Sequence, residues 1–257
     1  MKSSELKSNL AKNKLCLGSW ITFTDPSVAE LQAKAGFDWL AVDMEHSPIT
    51  LDIAQDLIRV IALHDVCPLV RVPANDPTII KRVLDAGAGG VIVPMINSRS
   101  QAEDAVAAVK YPPTGKRSVG ISRAQGFGPE FQDYVKRAND ETIVIVQIEH
   151  KDAVSDVDAI LAVKGVDAFI VGPYDLSGSM GIPGQLDDPQ VQKALIKVAA
   201  AGKKAGVAAG IHVVYPEPDR VKDRFNEGYS LIAYGVDFIF LGESSREGVR
   251  IVRKAKA

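Results

Sequence analysis

The chain has 257 residues, 46% hydrophobic and 24% charged, which suits one large α/β domain over 1–257 and excludes wholesale disorder. Thirty basic side chains against thirty-two acidic ones give a net charge of −2, so the balance offers no reason to expect nucleic acid or anionic lipid as a partner. Cys16 and Cys67 form no CxxC spacing, the opening MKSSELKSNLAKNK lacks the apolar run of a secretory signal, and no window nears the roughly 18 apolar residues of a membrane span. The expectation is a soluble cytoplasmic protein with two ordinary buried thiols.

Short β-branched runs alternate with segments of helical period. Residues 15–22 predict a first strand, then a helix that Asp25-Pro26 starts and Gly36 stops. Residues 37–45 predict the second strand, with a helix over about 50–65, and 67–73 the third, with a helix from Asp76-Pro77 to Gly87. Residues 90–96 predict the fourth strand, and its helix runs through Val109 to the Pro112-Pro113 pair. Residues 114–141 break the rhythm with a Gly-containing stretch and a helix over 129–137. The last four strands are expected at 142–149, 168–172, 207–214 and 237–241, each followed by a helical pattern, the last at 245–257. Eight such units predict a (β/α)8 TIM barrel. A doubly wound open sheet would need a glycine-rich phosphate turn after the first strand, and LGSW at 17–20 supplies a single glycine.

Active sites of such barrels form where strands end and loops begin, and these ends are rich in polar residues. The second strand runs into Asp43, Glu45 and His46, the third into Arg71, the fifth into Gln147, Glu149 and His150, and the sixth into Gly172-Pro173-Tyr174-Asp175. His212 lies on the seventh strand, and Glu243 follows the eighth. Period-two geometry places Gln147 and Glu149 on one face, the barrel interior, and turns His150 toward the helices. Two carboxylates without a Cys or His cluster suit a hard divalent cation with open positions. The Gly172-Pro173 turn can offer backbone N–H groups to an anionic substrate group. Arg71 supplies a fixed cation for a developing oxyanion, and His46 is the proton carrier near neutral pH. Lys151 sits beside Glu149 and Asp152 and lacks the apolar surroundings of a Schiff-base lysine. Glu243 is read as a rim charge without a role.

The strings FDWLAVDMEH at 37–46, RVP at 71–73, LDAGAGGVIVP at 84–94, YPPTGKR at 111–117, QIE at 147–149 and GPYDLS at 172–177 resemble the HpcH/HpaI aldolase family, in order from about Gly18 to Gly242. The resemblance implies a (β/α)8 barrel in a homohexamer, commonly a trimer of dimers. It also implies reversible cleavage of a 2-keto-3-deoxy acid to pyruvate and an aldehyde with Mg²⁺, Mn²⁺ or Co²⁺. Carried over by position, Glu149 and Asp175 would bind the metal. His46 would be the acid/base residue, Asp85 would raise its basicity, and Asp43 would support the same group. Arg71 would stabilise the transition state, Gln147 would contact pyruvate, and the backbone of Tyr174 and Asp175 would hold its carboxylate. Ser118 stands where the family usually has Gly, His150 where it has a threonine-like residue, and His212 where it tends to be apolar. Loop 114–128, Trp20 and His212 are expected to decide which aldehyde is used. The competing readings are other work with the same enolate, such as oxaloacetate decarboxylation, and keto-acid binding on a non-catalytic scaffold.

Overall fold

The computed structural model describes residues 1–255. Eight parallel strands close into a barrel in chain order: β1 (Cys16–Ile21), β2 (Trp39–Asp43), β3 (Cys67–Arg71), β4 (Gly90–Val93), β5 (Ile143–Ile148), β6 (Ala168–Val171), β7 (Ala208–Val213) and β8 (Tyr229–Val236). The helices between them are α1 (Ser3–Ala11), α2 (Pro26–Ala33), α3 (Leu51–Leu63), α4 (Pro77–Asp85), α5 (Arg99–Val109), α6 (Phe131–Glu141), α7 (Lys151–Ser155), α8 (Val157–Leu161), α9 (Pro173–Ser179), α10 (Pro189–Ala205), α11 (Pro218–Asn226) and α12 (Asp237–Lys254). Residues 256 and 257 of the last expected helix lie outside the described residues. No helix among them is long and apolar enough to cross a membrane.

Alternation along each strand divides the apolar residues into two cores. Leu40, Val42, Val70, Val91, Val144 and Val146 face the helix ring, while Trp39, Ala41, Leu69, Ile92, Ile145, Ile170 and Leu231 fill the barrel. Gly18 is required for this filling, since a Cβ there would come within 2.1 Å of the Trp39 indole. α1, which has no counterpart among the expected elements, joins the inner core through fully buried Leu6 and Leu10. Proline starts follow Asp25 and Asp76, whose carboxylates accept from backbone amides at the first turns of α2 and α4, as the sequence predicts.

The eighth strand is a correction. It occupies Tyr229–Val236, and residues 237–241, expected as that strand, begin α12. A short apolar run such as FIFL has no period that separates strand from helix. Asp237, only 3% exposed, fixes the change of structure. Its carboxylate accepts from Thr22 N at 2.6 Å, Thr22 Oγ1 at 2.6 Å, Phe23 N at 2.8 Å and Phe238 N at 2.9 Å, tying the end of β8 to the end of β1. Asp237→Ala leaves those part-buried donors without their acceptor and is expected to cost about 1–3 kcal/mol, measured by urea unfolding. An unchanged urea midpoint would show that this closure contributes nothing.

Candidate active site

The C-terminal ends of the strands surround a cavity of about 310 Å³. Trp20, Asp43, His46, Arg71, Gln147, Tyr174, Asp175 and His212 all line it. Inward-facing positions of β1, β2, β3, β5 and β7 thus end in polar or aromatic groups above an apolar barrel interior. His150 faces away, accepting from the Asp152 amide at 3.2 Å to cap α7. Glu243 pairs with Arg246 on the exposed part of α12, and Cys16 and Cys67 are buried thiols that burial pushes up to about 12.

Arg71 is the best-held group. Its Nε donates to Asp43 Oδ1 at 2.9 Å and its Nη2 to Asp43 Oδ2 at 2.7 Å, a side-on fork between two adjacent strands in direct register. Burial pushes the Asp43 carboxyl up, but the guanidinium and the amides of Glu45 and His46 outweigh it and hold the pKa below the usual range. Glu45, to which the sequence reading gave no role, lies 3.3 Å from Arg71 Nε and 3.7 Å from His46 Nε2. Burial raises its pKa, opposed by Arg71 and reinforced by Glu149.

Glu149 lies beneath the cavity floor at Gly172, where a Cβ would approach its Oε2 to 2.8 Å. Its Oε1 accepts from Met95 N at 2.7 Å, and its Oε2 accepts from Gln147 Nε2. Met95, just beyond β4, takes a left-handed backbone with φ 53° to direct that amide. Nothing in its side-chain type could have announced the role. Burial raises the Glu149 pKa, and the Asp175 charge adds to the rise. Asp43, Glu45, Glu149 and Asp175 outnumber the one guanidinium among them, and Gln147 Oε1 is buried without a partner. This surplus of hard oxygen donors fits a divalent cation of the Mg²⁺ type. Among the described residues no group of three or more His, Cys, Asp or Glu is placed to hold a metal, and a cation held by two carboxylates would keep positions for water and substrate. Beside Asp175, the Tyr174 and Asp175 amides start α9 without acceptors among the described residues, a ready cradle for a carboxylate.

Asp85 stands apart. α4 leaves the rim after β3 and runs back toward the opposite end of the barrel, so its last residue, Asp85, is carried away from the cavity. It pairs instead at 2.6 Å with Arg117, whose side chain is fully buried between Tyr111 and Tyr134. No ion pair joins Asp85 to His46 within the chain, and the carboxylate beside the His46 ring is Glu45. Residues 114–128, including exposed Ser118, contribute nothing to the cavity wall in one chain, contrary to their expected part in aldehyde choice.

A family model described as HpcH/HpaI aldolase/citrate lyase matches residues 17–242. A hydroxypyruvate/pyruvate aldolase from Agrobacterium fabrum is 37% identical, with 99% of this chain and 92% of that protein covered. A 2-keto-3-deoxy-L-rhamnonate aldolase from Escherichia coli is 33% identical, with 99% and 95% covered. A solved structure of an HpcH/HpaI aldolase/citrate lyase family protein from Burkholderia cenocepacia superposes with a TM-score of 0.93 at 38% identity, covering 97% of this chain and 99% of the other. With barrel, motifs and near full-length likeness in agreement, the chain belongs to the HpcH/HpaI aldolase/citrate lyase family.

Proposed function

We propose that this protein is a divalent-metal-dependent aldolase that reversibly cleaves a 2-keto-3-deoxy acid to pyruvate and an aldehyde. The observation that carries the reading is Arg71, fixed by Asp43 and lining the same cavity as Asp175 and His46, above Glu149. Glu149 and Asp175 would hold Mg²⁺, Mn²⁺ or Co²⁺, which when bound polarises the carbonyl and carboxylate oxygens of a 2-keto acid. The amides of Tyr174 and Asp175 bind the substrate carboxylate, and Gln147 contacts the pyruvate portion. His46, at the open side of the cavity and beside Glu45, takes the C4 hydroxyl proton. The C3–C4 bond breaks, its electron pair moves toward C2 as an enolate, and the aldehyde is released. Arg71 faces the charge that develops on the enolate oxygen, and protonation at C3 gives pyruvate.

The reading includes a cytoplasmic homo-oligomer, a hexamer arranged as a trimer of dimers. Free buried thiols fit a reducing compartment. Exposed Phe238, Leu241, Val249, Ile251 and Val252 on α12 support self-association. Asp85 can serve His46 from a neighbouring copy. Gly120 approaches it within the chain, and Val119 and Ile121, exposed on either side, are a surface that such a copy would cover.

Pyruvate release from a panel of 2-keto-3-deoxy acids, coupled to lactate dehydrogenase in the presence of Mg²⁺ or Mn²⁺, tests the activity. Turnover of at least one member is expected. Turnover of none, with oxaloacetate decarboxylated instead, would replace aldol cleavage by the competing enolate chemistry.

A further inference from the structure

We infer that Arg117 is a positioning residue for proton transfer, holding one oxygen of Asp85 so that the other meets His46 of a neighbouring copy in a fixed direction; this rests on the proposal above that Asp85 serves His46 across copies. Asp85 ends α4, and its Oδ1 accepts from Arg117 Nη2 at 2.6 Å. Its Oδ2 accepts no bond among the described residues, and the side chain stays 18% exposed. Gly120 lies near that oxygen without covering it, since even an added Cβ would remain 3.9 Å away. One carboxylate oxygen is therefore pinned, and the other is left open beside exposed Val119 and Ile121.

The Arg117 guanidinium is itself held on several sides. Its side chain is fully buried, Nη1 donates to the Tyr134 hydroxyl at 3.2 Å, and Cζ lies 4.6 Å from the Tyr111 ring centroid and 5.7 Å from that of Tyr134. Fully buried Gln125 fixes Tyr111 in turn, its Nε2 donating to the hydroxyl at 3.3 Å. Burial works against the Arg117 charge, but Tyr134, Asp85 and Tyr111 outweigh it and hold the pKa above the usual value. The segment after α5 is anchored without this guanidinium. Lys116 N donates to Ala107 O at 2.7 Å, Arg117 N to Lys110 O at 3.0 Å, and Arg123 Nη1 to Ala86 O at 3.0 Å. A buried ion pair gains little stability over apolar side chains of the same volume, so stability alone does not call for one here. What this pair supplies is direction. A carboxylate free to rotate would point away from the imidazole part of the time, and a misplacement of about 1 Å can cost on the order of 10²-fold in rate.

A double-mutant cycle on pyruvate release with Mg²⁺ tests this in the full chain, using Arg117→Met, Asp85→Asn and the two together. Each single variant should lower kcat by about tenfold or more and leave KM within about twofold of the wild type. The double variant should match Asp85→Asn to within about twofold, because Arg117 acts through Asp85. A merely structural role would multiply the two losses. That result, or an Arg117→Met kcat within about twofold of the wild type, would overturn the inference and leave the role of Asp85 in place. If circular dichroism shows Arg117→Met unfolded, Arg117→Lys takes its place in the cycle with the same expectations, since an ammonium cannot bridge Asp85 and Tyr134 in one plane. Asp85→Asn with wild-type kcat would retract the cross-copy role of Asp85 and this inference with it. A wild-type protein that releases pyruvate from no acid offered would retract the aldolase reading itself.

Discussion

Arg71→Lys is expected to lower kcat/KM for pyruvate release by about 10²–10³-fold, the loss that follows removal of one preorganised oxyanion donor. Two donors of the guanidinium are committed to the two oxygens of Asp43, which fixes the plane of the group and leaves Nη1 without an acceptor among the described residues. A donor fixed in this way requires no reorganisation when enolate charge appears. An ammonium keeps the charge but cannot span both Asp43 oxygens and still present a rigid donor to substrate. The loss should therefore fall on kcat more than on KM in steady-state assays. Arg71→Met behaves differently, because it leaves the Asp43 carboxylate, 2% exposed, as an uncompensated buried charge. That variant should lose about 3–5 kcal/mol of stability as well as activity, so the lysine variant reads the chemistry. A lysine variant with wild-type kcat would remove Arg71 from the mechanism.

Glu149→Gln is the second large effect. The amide keeps the size of the side chain and an oxygen for the Met95 N–H, and removes the charge. Divalent-cation affinity should fall by more than the roughly 10–100-fold typical of losing an outer-sphere partner, and pyruvate release should fall with it. Stability gives an independent signature. Without metal, Glu149 is a buried carboxylate whose pKa is raised by burial and by the Asp175 charge, so its ionised form is unfavourable in the fold. Glutamine relieves that burden, and in metal-free buffer the variant should unfold at the same temperature as the wild type or a higher one. Added Mn²⁺ should raise the Tm of the wild type by mass action and leave the variant unmoved. A variant that still gains stability from Mn²⁺ would place the cation elsewhere.

The elements that form the site were legible because their signals are local. Strand alternation placed Gln147 and Glu149 inward and His150 outward, and the cavity and the α7 cap agree. Asp-Pro pairs marked the starts of α2 and α4. What escaped depends on contacts between distant parts of the chain. Asp237 closes the barrel by bonding Thr22 and Phe23, and Met95 serves Glu149 through a backbone amide, so neither has a sequence pattern of its own. Glu45 was visible at a strand end, but its place between Arg71 and His46 follows from the turn after β2. α1 was missed because a short polar amphipathic segment yields a helix only once the barrel offers Leu6 and Leu10 an apolar floor. Asp85 shows the opposite case. Resemblance supplied a role for a residue that α4 carries away from the cavity of one chain and pairs with Arg117, so the proposal gives that role to a second copy.

The most direct measurement is pyruvate release by the wild-type protein from a 2-keto-3-deoxy acid that it turns over, followed with divalent metal, after EDTA, and after metal is restored. Release is expected with Mg²⁺ or Mn²⁺, with loss on chelation and recovery on re-addition. Release that survives EDTA and is instead trapped by borohydride would mean covalent catalysis through a lysine, and would rule out a metal held by Glu149 and Asp175 as the source of activity.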